Sequence, residues 1–334
     1  MRLLILGGTL FLGRHLVEDA LARGHEVTLF NRGQTNPGLF PDVERLRGNR
    51  ENDLSALQGR TWDAAIDTSG YLPRAVRASA ELLAAAVEHY TFVSSLSVFT
   101  PPSKPGLRED DPVTLLEDDT SEDVDSFYGP LKARCEQAVE EVLPGRALHL
   151  RSGLLVGPHD PTNRFTYWVQ RVARGGDVLA PAPPEQPVQL VDARDLAGWT
   201  IRLAEERQAG TFHATGEPTT FGEMLEECAA AAGSDSRLVW VDEAFLLEQE
   251  LEPFADLPLW LAPGQNAEWS GFFLANVERA VAHGLAFRPL RETARDILAE
   301  EEEPPGIKFG VQIPPAGLDP TREAEVLEAW KTRA

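Results

Sequence analysis

Short, mostly apolar runs alternate with longer amphipathic stretches through the first half of the chain. The stretches Leu12–Arg23 and Ala75–His89 have the length and patterning of helices that bury one face. Repeated strand–helix units of this length predict an α/β fold, with a doubly wound parallel sheet and helices on both of its faces. The five predicted strands are Leu3–Leu6, Glu26–Phe30, Val43–Arg47, a segment within Thr61–Asp67, and Tyr90–Val93.

Two later segments are predicted to connect folded elements. Leu115–Ser126 carries six acidic residues, which indicates a solvated loop, although its position just before Tyr128 also permits a role as a lid. Glu300–Pro305 is predicted to be a linker into a C-terminal appendage that contains one helix, roughly Pro320–Thr332. No internal repeat is found.

Composition narrows the class of protein. The 334 residues are 43% hydrophobic and 25% charged, which is typical of a soluble globular protein. The formal charge of −22, from 53 acids and 31 bases, disfavours nucleic acid and anionic membranes as partners. Cys135 and Cys228 lack metal-ligand spacing, so neither a metal site nor a disulfide is expected. The chain shows no secretory signal or long apolar span, which predicts a cytoplasmic protein.

A glycine turn lies between the first predicted strand and the first predicted helix. Such a turn presents backbone N–H groups and a helix N-terminus to a pyrophosphate. Gly7 is expected to make the tight turn, and Gly13 to let the helix pack against the strand. Dinucleotide sites of this class have a further glycine where this chain has Leu10, so Gly8 and Thr9 are expected to leave room for phosphate. The turn predicts a dinucleotide cofactor.

The end of the second strand indicates which cofactor is bound. NAD sites usually place an acid there for the ribose 2′-hydroxyl, whereas NADP sites pair a neutral residue with a nearby arginine. Asn31 and Arg32 therefore favour NADP over NAD, although Arg32 could instead stack on adenine in an NAD site. At the next two strand ends, Asn49 is expected near the adenine, and Thr68 and Ser69 near the nicotinamide ribose.

Tyr128 and Lys132 are spaced one helical turn apart, in a chain that has only four tyrosines. Tyrosine normally titrates near 10, and a lysine on the same helix face favours the phenolate. Tyr128 would then exchange a proton with a substrate hydroxyl or carbonyl, while Lys132 would also hold the ribose. Ser95 is expected to orient the substrate oxygen, with Ser94 and Ser97 as alternatives. A surface pair without function is the alternative for Tyr128 and Lys132.

In order and spacing, these motifs resemble those of extended short-chain dehydrogenases/reductases of the NAD-dependent epimerase/dehydratase family. The resemblance covers roughly residues 1–300 and includes Leu150–Pro158 and Leu190–Ala197. It implies Ser95 rather than its neighbours, because Ser95 stands three residues before the pair Val98-Phe99. The Gly-Gly-Thr-x-Phe opening is similar to a subgroup that includes chloroplast stem-loop-binding proteins, which are associated with RNA binding.

The resemblance implies an NAD(P)-dependent oxidoreductase or epimerase that acts on a secondary alcohol or ketone, with Ser95, Tyr128 and Lys132 as catalytic residues. A sugar nucleotide is one candidate substrate. The alternative is a non-catalytic dinucleotide-sensing or RNA-binding descendant of the same fold. A dehydratase is disfavoured, because Leu96 and Ser97 replace the acidic pair of the dehydratases.

The resemblance also implies a division of the chain and a set of binding residues. A Rossmann domain is expected over residues 1–155, with a returning segment near 187–213, and a substrate-binding lobe with the C-terminal appendage over 156–334.

Asp195 is expected to cap a helix, and Arg164 is expected either to bind substrate phosphate or to lie on the surface. We expect a small-molecule substrate and a monomer or homodimer. The expected cofactor-binding residues are Gly7, Thr9, Phe11, Leu12, Gly13, Asn31, Arg32, Asn49, Thr68, Ser69, Tyr128, Lys132, Gly153 and Leu154.

Overall fold

A seven-stranded parallel sheet forms the centre of the protein. The computed structural model describes residues 1–118, 120–300 and 316–333, together with the backbone of 307–308 and 311–312. With strands numbered in chain order, the sheet consists of β1 (Arg2–Leu6), β2 (Glu26–Asn31), β3 (Glu44–Arg47), β4 (Ala64–Asp67), β5 (His89–Ser95), β6 (Ala147–Ser152) and β11 (Gly210–Ala214). Their order across the sheet is β11-β6-β5-β4-β1-β2-β3, so the chain reverses direction of winding at β1.

The remaining strands form small two-stranded pairs outside this sheet. They are β7 (Leu154–Val156) with β10 (Leu190–Asp192), β8 (Asp177–Pro181) with β13 (Arg237–Val241), β9 (Pro187–Val188) with β12 (Thr219–Thr220), and β14 (Ile307–Lys308) with β15 (Val311–Gln312). The α-helices are α1 (Leu12–Ala22), α2 (Pro73–Leu83), α3 (Val124–Val142), α4 (Arg164–Ala173), α5 (Ala193–Glu205), α6 (Phe221–Ala232), α7 (Glu243–Glu248), α8 (Glu278–Ala282), α9 (Leu290–Leu298) and α10 (Pro320–Thr332).

Helices cover both faces of the sheet, as the alternation of elements predicts. Successive side chains of a strand point to opposite faces, and β1 is buried on both. Leu3 and Ile5 pack in the core that contains α1 and α5, whereas Leu4 and Leu6 pack in the core that contains α2 and α3. The predicted doubly wound α/β fold is confirmed.

Two predicted element boundaries are wrong. The helix expected to continue to His89 ends at Leu83, because His89 pairs with Ala64 at the start of β5. Sheet pairing therefore overrides the helical pattern of the alanine-rich segment before it. The predicted loop Leu115–Ser126 is shorter than expected, because α3 begins at Val124. Asp119, within this loop, lies outside the described residues.

A second hydrophobic core is built from the later elements. It includes residues of α4, α6 and α9, with the fully buried side chains Trp168, Phe221 and Trp260. Helix α10 occupies the predicted Pro320–Thr332 and is joined to α4 by a buried ion pair between Glu323 and Arg171, at 2.5 Å. The division at residue 155 stays a prediction, although β11 does return to the main sheet. Most of the predicted linker after Glu300 lies outside the described residues.

The structure corrects one predicted helix cap. Asp192, not Asp195, caps α5, since its carboxylate accepts the N–H of Arg194 at 2.8 Å. Asp195 lies in the first turn of that helix and pairs with Arg288.

Both cysteines are buried free thiols, as expected. Within the described part of the chain, no helix combines the length and apolar character needed to cross a bilayer.

Candidate active site

A cleft of about 760 Å³ opens at the carboxyl ends of the parallel strands. Ligands of doubly wound sheets bind at this edge, where the strand order reverses. The structure brings every residue of the predicted site to the lining of this cleft. These residues are Gly7, Thr9, Phe11, Leu12, Gly13, Asn31, Arg32, Asn49, Thr68, Ser69, Ser95, Tyr128, Lys132, Gly153 and Leu154.

The glycine turn between β1 and α1 is closely packed. Gly7 has a φ of 113°, and a Cβ atom there would lie 2.4 Å from Thr68 Oγ1. A Cβ at Gly13 would lie 2.9 Å from the Cα of Gly8, so Gly13 allows the helix to approach the turn itself rather than the strand. Leu10 is not among the residues with positive φ, and its side chain therefore needs no left-handed backbone.

Two asparagine amides brace this turn from the neighbouring loop. Asn31 Nδ2 donates to the carbonyl of Gly7 at 2.9 Å, and its Oδ1 accepts the N–H of Gly33 at 2.9 Å. Asn36 Nδ2 donates to the carbonyl of Thr9 at 2.8 Å. Asn36 was missed by the sequence reasoning, because nothing local to it indicates that the loop folds back over the turn.

Two arginines lie beside Gly33 at the ends of β2 and β3. Arg32 is exposed and lines the cleft. Arg47 pairs in register with Asn31, and its Nη1 approaches the Gly33 carbonyl at 3.4 Å. In the part of the chain that the structure describes, neither guanidinium forms an ion pair with a carboxylate. The sequence reasoning missed Arg47, since only the strand order places it beside Arg32.

Polar side chains at the ends of β3 and β4 form hydrogen bonds at this edge of the sheet. Thr68 Oγ1 and Ser69 Oγ donate to the carbonyl of Leu6 at 2.9 Å and 3.2 Å. Asn49 Oδ1 accepts the N–H of Glu51 at 3.2 Å. The hydroxyl groups therefore join the ends of β1 and β4, in addition to lining the cleft.

A buried ion pair between Arg50 and Asp67 lies below these residues. The two guanidinium nitrogens of Arg50 are 2.5 Å and 2.8 Å from the two carboxylate oxygens, and the hydroxyl of Tyr90 donates to Asp67 at 2.9 Å. Burial raises the pKa of Asp67, but the adjacent Arg50 outweighs it and the net pKa is lowered. The carboxylate is therefore ionised at neutral pH. The sequence reasoning missed this pair, whose members are 17 positions apart.

Ser95 and Tyr128 lie together in the lining of the cleft. Ser95 Oγ donates to Ser97 Oγ and accepts the N–H of Ser97, each at 3.1 Å. Ser97 therefore supports Ser95, and Ser94 is buried with a hydroxyl that has no partner among the described residues. Burial raises the pKa of Tyr128 above its usual value, while the Ser95 hydroxyl and the charge of Arg164 oppose that rise.

Lys132 is buried one helical turn after Tyr128. Its ammonium donates to the carbonyls of Gly70 at 2.9 Å and Val93 at 2.6 Å, and lies 4.5 Å from the ring centre of Phe92. Burial lowers the pKa of Lys132 to about 8. The alternative of an exposed surface pair does not fit this arrangement.

A kink in α3 positions Tyr128. The helical geometry is interrupted at Phe127, with φ −126° and ψ 30°, so that Pro130 lies in the first turn after the kink. Proline is tolerated there because its missing N–H would have no helical partner. Gly129 was missed by the sequence reasoning. A Cβ at this position would lie 1.9 Å from the carbonyl oxygen of Ser97, so only glycine lets the helix come this close to Ser95.

Arg164 lies at the first position of α4 and lines the cleft. Its Nε donates to Thr162 Oγ1 at 3.0 Å, and its guanidinium is 5.9 Å from the ring centre of Phe254. Burial lowers the pKa of Arg164. Arg164 is therefore half-buried in the cleft and not an exposed surface residue, while its binding of substrate phosphate stays a prediction. Among the described residues, no cluster of three or more His, Cys, Asp or Glu side chains is arranged to hold a metal ion.

A family model places this fold and cleft in a known class. The model of the NAD dependent epimerase/dehydratase family matches residues 3–214, which is more than half of the chain. The chain belongs to this family.

A relative of this chain is named as a binding protein and not as an epimerase. The chain is 26% identical over 254 residues to the chloroplast stem-loop binding protein of 41 kDa b from Arabidopsis thaliana, and the match covers 70% of this chain. It spans 63% of the length of that relative.

Solved structures share the fold at lower identity. UDP-glucuronic acid 4-epimerase from Bacillus cereus, in complex with NAD, superposes with a TM-score of 0.63 at 14% identity, over 89% of this chain and 94% of the other. A human epimerase family protein with NADPH superposes with a TM-score of 0.61 at 22% identity, over 89% and 98%. Structures with this fold therefore carry either nucleotide.

The contact between Gly13 and Gly8 makes a testable prediction about the turn. In Gly13→Ala, the added methyl group would press on the Gly8 backbone and displace the turn, so we expect NADPH affinity to fall at least ~10-fold, about 1.4 kcal/mol. Calorimetric titration with NADPH measures this change. Gly38→Ala is the matched control, since a Cβ there meets nothing within 4 Å. Equal affinities in the two variants would contradict the assignment of the turn.

Proposed function

We propose that the protein is an NADP(H)-dependent oxidoreductase or epimerase that acts on a secondary alcohol or ketone through Ser95, Tyr128 and Lys132. The observation that supports this most strongly is that Ser95, Tyr128 and the buried Lys132 ammonium line the same cleft as the glycine turn.

The chemistry of the site suits proton exchange at an oxygen atom. Bound cofactor would supply or accept a hydride at the carbon that carries this oxygen. Ser95 would hold the substrate oxygen, and Tyr128 would donate its phenolic proton to a carbonyl or take one from a hydroxyl. The raised pKa keeps the Tyr128 phenol protonated, which suits donation to a carbonyl. Lys132 and Arg164 would stabilise the negative charge left on the phenolic oxygen.

The lining of the cleft fits a dinucleotide. Its volume of about 760 Å³ lies within the range of ligand pockets, ~300–1,000 Å³. A side chain at Gly13 would collide with the Gly8 backbone, and one at Gly7 would collide with Thr68, so both glycines keep the turn compact where its backbone N–H groups would meet a pyrophosphate. Arg32 and Arg47 are positive groups without carboxylate partners, which supports binding of a 2′-phosphate and hence NADP over NAD. A 2′-hydroxyl would not need two such cations.

The substrate is proposed to be a small molecule of the sugar-nucleotide class. Arg164 provides a cation inside the cleft that could accept a substrate phosphate, although the chain as a whole has a charge of −22. The UDP-sugar epimerases among the solved structures support the same substrate class. We further propose the division at residue 155, a cytoplasmic location and a monomeric or homodimeric state.

The second candidate is RNA binding, favoured by the name of the Arabidopsis relative. Against it stands the charge of −22, because affinity for RNA depends on cationic contacts to phosphate. The Ser95–Tyr128 contact also has no evident use in an RNA-binding protein. We therefore place catalysis first.

Proton transfer by Tyr128 is tested by removing its hydroxyl. Tyr128→Phe should lower turnover by ~10²–10⁴-fold, the typical contribution of a positioned acid or base, while NADPH affinity stays within about twofold. Cofactor oxidation with a panel of ketones and nucleotide sugars identifies a substrate, and steady-state kinetics then measure the loss. Tyr167→Phe, in α4 outside the cleft lining, is the control. Full turnover in Tyr128→Phe would refute the proposed role.

The cofactor preference is tested at the two arginines beside Gly33. Arg32→Gln and Arg47→Gln should each reduce the ratio of NADPH to NADH affinity by roughly 10-fold, since hydrogen bonds to charged groups contribute ~1.5–3 kcal/mol. Arg45→Gln is the matched control, because Arg45 lies on the same strand and binds the carbonyls of Pro37 and Leu39. Both affinities are measured by nucleotide fluorescence. A parent protein that binds NADH as tightly as NADPH would overturn the NADP assignment.

A gel-shift experiment distinguishes RNA binding from the proposed catalytic function. With structured stem-loop RNA at physiological salt and micromolar protein, we expect no shifted band, because too few cations contact phosphate. A repeat at ~50 mM salt, where non-specific binding is strongest, serves as the sensitive control. A clear shift that weakens as salt rises would reverse the ranking of the two functions.

A further inference from the structure

Tyr71 is an aromatic residue in the lining of the cleft that the proposed reaction does not use. It lies in the turn between β4 and α2. Its ring centre is 5.4 Å from the ammonium nitrogen of Lys132 and 6.5 Å from the ring centre of Tyr128. The sequence reasoning missed Tyr71, because no spacing connects this turn with α3.

The residue before Tyr71 holds the turn against the lysine. The carbonyl of Gly70 accepts a hydrogen bond from the Lys132 ammonium at 2.9 Å. A Cβ atom at Gly70 would lie 2.6 Å from a ring carbon of Phe92 and 2.7 Å from a methyl carbon of Val76, so glycine lets the turn pack closely. Two consecutive residues therefore bring a carbonyl oxygen and an aromatic ring to the same ammonium.

Carboxylates near this ammonium are already neutralised. Asp67 and Glu136 are acids whose charges act on Lys132. Each of them forms an ion pair with an arginine, at 2.5 Å and 2.8 Å. Burial raises the pKa of the neighbouring Cys135 thiol to about 12, so this thiol is uncharged at neutral pH. The charged and titratable groups around the ammonium are Tyr128, Cys135 and Glu136 of α3, Asp67 and Tyr71 at and after the end of β4, and Arg50 after β3.

Carbonyl groups and aromatic rings remain to stabilise the positive charge. An ammonium has three N–H donors, and the carbonyls of Gly70 and Val93 accept two of them. The ring centres of Phe92 and Tyr71 lie at 4.5 Å and 5.4 Å, within the ~6 Å over which the face of an aromatic ring attracts a cation. Phe92 is fully buried, whereas Tyr71 borders the cleft.

The attraction comes from the ring of Tyr71 and not from a negative charge on its oxygen. Burial raises the pKa of Tyr71, so the phenol is uncharged at neutral pH. A neutral tyrosine ring still presents a negative face to a cation. The Tyr71 ring therefore offsets part of the cost of burying the lysine charge next to the cleft.

We propose that Tyr71 is a positioning residue whose ring holds the Lys132 ammonium, in its charged form, beside Tyr128. This inference rests on the proposed function, in which a charged Lys132 stabilises the negative charge left on the phenolic oxygen of Tyr128. Tyr71 acts through Lys132 and transfers no proton itself. The role requires the aromatic ring of Tyr71 and not its hydroxyl group.

Fluorinated rings at position 71 test this role. Each added fluorine withdraws electron density from the ring face and weakens its attraction for a cation, while the size of the ring changes little. The series consists of Tyr71→Phe and of phenylalanines with one, two and three ring fluorines at this position. The chain has four lysines, so NMR of protein with lysine labelled at Cε and Nζ measures the pKa of Lys132. Loss of a signal in Lys132→Met identifies it.

The titration is expected to follow the electron density of the ring. Burial lowers the pKa of Lys132 to about 8 in the parent protein, and Tyr71→Phe should keep it within ~0.2 pH unit because the ring face remains negative. The pKa should fall with each fluorine, by ~0.5–1 pH unit in the trifluoro variant, since a weaker attraction favours the neutral amine. The same series at Tyr167, in α4 outside the cleft lining, is the matched control and should not change it.

Turnover should follow the same titration. The charge on Lys132 is present below its pKa and is lost as the pH rises through that value. Catalysis that needs the ammonium should therefore decline on the alkaline side, and the trifluoro variant should move this decline to lower pH by ~0.5–1 pH unit. The dependence of kcat on pH measures it, with the substrate found in the panel of ketones and nucleotide sugars.

Each outcome decides the proposal. A constant Lys132 pKa across the fluorinated series, or an equally large fall in Tyr71→Phe, overturns the role of the ring. The NMR titration needs neither substrate nor cofactor. A falling pKa with an unchanged pH dependence of turnover keeps the contact between Tyr71 and Lys132 but contradicts the proposed part of Lys132 in catalysis. The signal of Lys331, which pairs with Asp177 at 2.9 Å, reports whether each variant is folded.

Discussion

The arrangement of the cleft depends on the hydrogen bonds that the buried ammonium group of Lys132 makes. A buried charge must be compensated by polar groups, and here the carbonyls of Gly70 and Val93 bind it. These carbonyls belong to the ends of β4 and β5, so the ammonium fixes α3 against both strands. Tyr128 lies one turn before Lys132, and Ser95 lies two residues after Val93. The same contact therefore places the phenol and the serine hydroxyl together.

Charge in the cleft differs in sign from charge on the whole chain. The protein carries −22, yet Arg32, Arg47 and Arg164 lie in or beside the cleft without a carboxylate bridge. Asp67 is a buried acid whose charge acts on Lys132, and Arg50 neutralises it. An anionic dinucleotide therefore meets positive groups at this edge of the sheet. Net charge describes the surface as a whole, but binding depends on the few charges that face the ligand.

Several site residues became recognisable only after the strand order was known. Arg47 approaches Gly33 because β3 is next to β2, and Arg50, in the loop after β3, reaches Asp67 at the end of β4 across the ends of β2 and β1. Gly129 matters because it approaches the carbonyl oxygen of Ser97, which belongs to a distant part of the chain. No spacing in the sequence indicates these contacts. Conversely, Asp195 matched a local capping pattern, but the neighbouring Asp192 accepts the helix N–H.

By itself, the sequence determined the features that depend on a few neighbouring residues. Strand and helix alternation, the glycine turn and the Tyr128–Lys132 spacing are local, because backbone conformation and side-chain periodicity act over one or two turns. Tertiary structure decided the rest. Helix α2 ended at Leu83, before the chain joins the sheet at His89, and Arg164 was placed in the cleft and not on the exposed surface. Each depends on packing between segments far apart in the chain, which local patterns do not encode.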